Sequence, residues 1–198
     1  MNIRQLTPAY YLSVPWKNGG GISITIAGER LPGTPEGDWA GVVWQLGRTR
    51  IIAPAPFSDL SGFERMQIVV GGSGLVLETP TGEIDLRTPF TPVRYDGGIA
   101  ITSRLENGPV EVVNLIARRD LCSIDLVMIG KGFGQNPEIA LAPAHHVVYA
   151  PTETARIVLN GVEHLLAVNH AMAFDGAAEI ISLGGVALVA SVTKPGTF

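Results

Sequence analysis

Gly108-Pro109-Val110-Glu111-Val112-Val113-Asn114-Leu115-Ile116 is the stretch from which the fold class follows. A glycine-proline pair turns the chain, and the residues after it read as a strand with period two. On that strand Val112, Asn114 and Ile116 share one face. A carboxamide on a largely apolar face requires partners, so Asn114 is either held by a structural hydrogen bond or contacts a ligand.

The same alternation recurs along the chain. Ile22, Ile24 and Ile26 are expected on one face of a strand, with Ser23 and Thr25 on the other. Met66 to Val70, Gly74 to Glu78 and Ile99 to Ser103 read likewise, separated by turns bearing glycine or proline. Only Ser58 to Arg65 and the region of Thr152 to Thr154 offer starts for short helical turns, so an all-β fold with little helix is the economical reading. There is also an internal echo. Tyr95-Asp96-Gly97-Gly98 precedes the quoted strand, and Phe174-Asp175-Gly176-Ala177 precedes Gly184-Gly185-Val186-Ala187-Leu188-Val189. Asp175 lies 79 residues after Asp96, and Gly184 lies 76 after Gly108, which suggests a duplicated unit.

Composition narrows the function classes. A chain of 198 residues, 46% hydrophobic and only 16% charged, with 24 glycines and 14 prolines, is globular and built of short elements. Its net charge of -4 provides neither a basic footprint for nucleic acid nor a polybasic tract for lipid, so neither partner is expected. The single cysteine, Cys122, excludes an internal disulfide and sits among apolar residues. The start Met1-Asn2-Ile3-Arg4 lacks the apolar core of a signal peptide, and a cytoplasmic location is the expectation.

Histidines fall only in the second half, at His145, His146, His164 and His170. His145 and His146 are adjacent and would point to opposite faces of a strand, so they cannot clasp one ion together, and no metal or other cofactor is expected. No nucleophile has a recognisable base near it, and Gly72-Ser73-Gly74 lacks the lysine of a phosphate loop. What remains is a set of cations and amides: Lys17, Asn18, Arg65, Asn114, Arg118 and Arg119. A guanidinium matches a carboxylate bidentately, lysine adds a point charge, and asparagine both donates and accepts, a chemistry suited to a small carboxylic acid. Arg118 and Arg119 are alternatively solvated, or paired with Asp120 and Glu64.

Pro15-Trp16-Lys17-Asn18-Gly19-Gly20-Gly21 sets a cation, a carboxamide and an indole beside backbone of high freedom. Together with Pro56-Phe57-Ser58, Gly62-Phe63-Glu64-Arg65 and Val113-Asn114-Leu115-Ile116-Ala117-Arg118-Arg119, it resembles the HutD/Ves family of cupin-fold proteins over about Pro15 to Asp120. The chain departs from that pattern at Gln45, Ser61 and Glu64, where arginine, proline and aspartate are usual, and at Ser23-Ile24.

The resemblance implies a bicupin, two RmlC-like jelly-roll barrels, with an N-terminal barrel over residues 1–120 and a plainer one over 121–198. It further implies a small-molecule-binding protein that senses or buffers a carboxylate of histidine breakdown, of the formylglutamate or urocanate type. The expected ligand contacts are Lys17, Asn18, Arg65 and Asn114, with Trp16, Trp44, Gln45 and Glu64 as candidates for the pocket wall. A homodimer is compatible with this reading. The alternatives are a metal-independent isomerase or hydrolase using Glu64 or Lys17 as acid or base, and a structural or interaction protein.

Overall fold

A computed structural model describes residues 1–16, 19–35, 37–130 and 137–196. The described chain is almost entirely antiparallel β, with 3-10 turns at Pro8–Tyr10 and Trp39–Gly41 as its helical elements. No helix among these residues is long and apolar enough to cross a membrane. The chain divides into two compact units, Tyr11–Ser123 and a second made of Met1–Tyr10 with Ile124–Phe198. This differs from the expected assignment of residues 1–10 to the N-terminal barrel. The short β1 (Arg4–Leu6) pairs with a strand near the C-terminus, from Leu6 opposite Ala171 to Arg4 opposite Ala173.

The described residues of the Tyr11–Ser123 unit form β2 (Leu12–Pro15), β3 (Gly21–Arg30), β4 (Val42–Ile51), β5 (Phe63–Gly71), β6 (Leu75–Thr79), β7 (Gly82–Leu86), β8 (Val93–Asp96), β9 (Thr102–Leu105) and β10 (Val110–Arg118). One sheet runs β2-β3-β4-β10-β5-β8 and the other β7-β6-β9. Leu75, Leu77 and Leu86 of the smaller sheet pack with Ile51, Val69, Tyr95 and Val112 of the larger. Full burial of each such leucine contributes about 1.5–3 kcal/mol. The region Ser58 to Arg65 is not helical; Phe63 already opens β5, whose run from Phe63 to Val70 is almost wholly buried.

The second unit holds β11 (Ser123–Gly130), β12 (Glu138–Tyr149), β13 (Ala155–Leu159), β14 (Val162–Leu166), β15 (Ala171–Gly184) and β16 (Val186–Thr193). Its sheet runs β11-β16-β12-β15-β13-β14, with β1 added to β15. The pairing repeats that of the first unit. As β5 lies between β10 and β8, β12 lies between β16 and the first half of β15; as β6 pairs with β7 and β9, β13 pairs with β14 and the second half of β15. In this correspondence Arg65 opposite Tyr95 matches His146 opposite Phe174. The two aromatic-Asp-Gly segments thus occupy equivalent places.

Candidate functional site in the first unit

Cross-strand partners share a face, so the registers decide which side chains meet. Three rows cross the larger sheet of the first unit. One is Tyr95–Arg65–Ile116–Gln45, the next Val93–Gln67–Asn114–Gly47–Thr25, and the third Val69–Val112–Thr49–Ser23–Val14. This face meets the smaller sheet, because Val69, Val112 and Tyr95 from it belong to the shared apolar core. Polar groups on it are therefore inside the unit. Arg65 and Asn114 are each 7% exposed, Thr49 5% and Gln67 0%.

Arg65 is the unusual member. A guanidinium remains charged under all ordinary conditions, yet among the described residues no carboxylate pairs with it, and its Nε is buried without a hydrogen-bond partner. Two rings cover it: its Cζ lies 4.9 Å from the Phe57 centroid and 5.2 Å from that of Tyr95. Burial pushes its pKa down, partly offset by the Tyr95 phenol beside it. The same burial pushes the Tyr95 phenol up, against the lowering effect of Arg65. Tyr95 donates its O–H to Gln67 Oε1 at 2.6 Å. That leaves Gln67 Nε2 unpartnered, and Asn114 Oδ1, opposite it in the same row, is unpartnered as well.

A second polar chain edges the face. The Trp16 indole donates to Ser23 Oγ at 2.8 Å, and Ser23 Oγ lies 2.9 Å from Thr49 Oγ1. This overturns the simple alternation expected of β3: Ser23 takes the inward side and Ile22 is 47% exposed, while a register shift between Thr25 and Ala27 brings Ile26 into the core. Trp16 meets the Phe57 ring edge-on at 5.8 Å between centroids. Phe57 is half-buried and also lines an open surface cleft of about 460 Å³ with Pro56, Asp59, Glu78 and Ile99. The ring over the buried cation is therefore also part of the surface.

Of the residues expected to form the site, Arg65 and Asn114 share this interior face, together with Gln45 in the Arg65 row and Trp16 at the edge. Lys17 and Asn18 lie outside the described residues. Trp44 and Glu64 have the opposite strand parity and point to the other side of the sheet, where the Trp44 indole donates to Glu29 and Glu64 pairs with Arg94. Arg118 pairs with Asp120, while Arg119 pairs with Asp96 rather than Glu64. Gln67, Tyr95 and Phe57 were not singled out in the sequence as contacts. The usable signal for Gln67 is one amide inside the apolar run Met66-Gln67-Ile68-Val69-Val70.

The equivalent interior of the second unit is apolar, with Phe174, Met172, Val148, Val189, Ile157 and Ile180 in one cluster. Its His146, the counterpart of Arg65, is fully bonded: Nδ1 lies 2.9 Å from Ser191 Oγ, and Nε2 lies 3.1 Å from both Ala142 O and Gly176 O. His145 faces Asp175 at 2.8 Å. Among the described residues no group of three or more His, Cys, Asp or Glu side chains is arranged to hold a metal ion. Cys122 is buried, with its thiol towards the Val43 and Arg118 carbonyls.

Comparison with known proteins agrees with this geometry at the level of family and fold. The family model described as HutD matches residues 9–188. The chain belongs to the HutD family. A Pseudomonas putida relative, described as an uncharacterized 21.2 kDa protein in the hutC 3' region, is 28% identical over 106 residues, which are 54% of this chain and 53% of that one. The match therefore spans about half the length of the curated relative. The crystal structure of a conserved protein of unknown function, PA5104 of Pseudomonas aeruginosa PAO1, superposes with a TM-score of 0.80 at 19% identity, covering 98% of this chain and 100% of the other. HutD of Pseudomonas fluorescens SBW25, solved in a formate condition, gives 0.77 at 24% identity, again covering 98% and 100%. These likenesses establish the fold of this HutD-family chain as cupin-like and nearly all-β.

Proposed function

We propose that this HutD-family chain is a cytoplasmic binding protein whose first barrel takes a small carboxylate related to histidine degradation, of the formylglutamate or urocanate type, in a sensing or buffering role. The observation that carries this reading is Arg65: a permanent cation, almost wholly buried, facing the barrel interior, with no carboxylate beside it among the described residues. A buried charge without a counter-ion is costly even with the Tyr95 phenol beside it, and an anionic ligand would compensate it with charge-assisted hydrogen bonds. The pathway rests on family membership and on the place of the Pseudomonas putida relative beside hutC.

Binding is favoured over catalysis by the position of Glu64, on the face away from Arg65 and paired with Arg94, where it is no acid or base for a ligand at the guanidinium. The matched strand pairing of the two units supports a duplicated, bicupin origin, in which the second barrel has an apolar interior and the first carries the site. A thermal-shift series with histidine-pathway acids tests the function. A ligand at 100 times its Kd adds about 2.7 kcal/mol to the stability of the native state. At least one acid should raise the midpoint, and failure of every acid to do so would remove the proposal.

A further inference from the structure

We infer that β2 is a docking edge for a second copy of this chain, the two strands pairing antiparallel about a twofold axis at Ser13. β2 ends the larger sheet of the first unit, and all four of its residues are exposed. Leu12 and Val14 are 52% and 49% exposed, two large apolar side chains left in water by a bare edge. An open edge is a template for another strand, and proteins that stay apart guard it with charge. The other terminal strands among the described residues carry such a charge: Arg94 on β8, Glu83 on β7, Arg104 on β9, Asp125 on β11, Glu163 on β14 and Arg4 on β1. Leu12-Ser13-Val14-Pro15 carries none.

The hydrogen-bond ladder selects the occupant and the register. Trp16 N–H donates to Gly21 O, one step beyond Pro15 opposite Ile22. Bonded and non-bonded pairs alternate in an antiparallel ladder, so Leu12 and Val14 bond to β3 while the main-chain groups of Ser13 and Pro15 point away from the sheet. Pro15 has no N–H to give. Ser13 is therefore the residue of β2 that offers both a donor and an acceptor outward, and two copies satisfy both when Ser13 stands opposite Ser13. That register sets Leu12 of each copy opposite Val14 of the other, in non-bonded pairs whose side chains approach most closely. Val14 ends the row Val69–Val112–Thr49–Ser23–Val14 on the interior face, and the second copy's Leu12 covers that open end. A pair of four-residue strands buries less than the roughly 1,200 Å² of a stable specific interface, so the association is reversible and depends on concentration.

The test is analytical sedimentation of the whole protein across the micromolar range, with the chain mass of 20.9 kDa as reference. The wild type should move from one chain mass towards twice that mass as concentration rises. Ser13 is exposed, so a change there spares the fold of the single chain. Ser13→Lys sets two ammonium groups opposite each other across the axis and should weaken the association on the order of tenfold, and Ser13→Asp should do the same with two carboxylates. An equimolar mixture of the two variants should recover it, because opposite charges then meet, and a variant that merely misfolded would give no such recovery. A wild type that stays at one chain mass throughout overturns the inference. So does a dimer that Ser13→Lys leaves unchanged, or a mixture that associates no better than either variant alone.

Discussion

Arg65→Met should make the ligand-free protein more stable, which is the reverse of what removal of a buried structural ion pair does. Three contributions decide the sign. Taking an ion out of water costs several kcal/mol after relaxation, and here no carboxylate offsets it among the described residues. The Phe57 and Tyr95 rings, at 4.9 and 5.2 Å, offset about 0.5–2 kcal/mol each. Methionine keeps the apolar stem and adapts to irregular space. The net expectation is a gain of about 1–3 kcal/mol, or several degrees in Tm for a chain of this length. Urea unfolding at neutral pH, followed by tryptophan fluorescence, provides the number. A loss of 3 kcal/mol or more, the usual result of breaking a buried pair, would mean that Arg65 is a structural residue and would refute this reasoning.

Other expectations follow from single contacts. Phe57→Ala should uncover the guanidinium, so that phenylglyoxal labels Arg65 severalfold faster than in the wild type by peptide mass spectrometry; unchanged labelling would remove Phe57 as the cover. Burial holds the His146 pKa below 6.5, against the raising effect of the Ala142 and Gly176 carbonyls. The unfolded chain then takes up the proton first, so the stabilisation from the neutral ring is complete above about pH 6.5 and declines as pH falls from there towards the lowered folded value. The urea midpoint should drop over that window, and His146→Gln should flatten the drop. Elemental analysis of purified protein should find well under one equivalent of transition metal, whereas a full equivalent lost on changing His164 or His170 would revive metal chemistry.

The all-β class was legible because alternation and glycine-bearing turns are local signals, and the quoted strand after Gly108-Pro109 is β10 itself. Strand parity also brought out Asn114, and residue chemistry brought out Arg65. Glu64 adjoins Arg65 in sequence and Trp44, an aromatic candidate for the wall, adjoins Gln45, but one residue of offset sends each to the opposite face from that neighbour. The pairing of Arg4–Leu6 with β15 links the two ends of the chain, and nothing in a three-residue strand announces so distant a partner. The pairing of Gln67 with Tyr95 is visible only through register, since the hydrogen bond between them joins β5 and β8 across 28 residues. The inward turn of Ser23 goes with the Trp16 indole N–H and the Thr49 hydroxyl that its own hydroxyl meets, which hydrophobic periodicity does not encode.

The central claim is that Arg65 holds an acid inside the Tyr11–Ser123 unit. Its most direct test is calorimetric titration of wild type and Arg65→Met, both verified as folded, with the histidine-pathway acid that gives the largest thermal shift. Loss of a buried, charge-assisted contact is worth roughly 2–4 kcal/mol, so the variant should bind about 30- to 1,000-fold more weakly with a stability no lower than the wild type. An Arg65→Met protein that retains wild-type affinity for that acid would contradict the account.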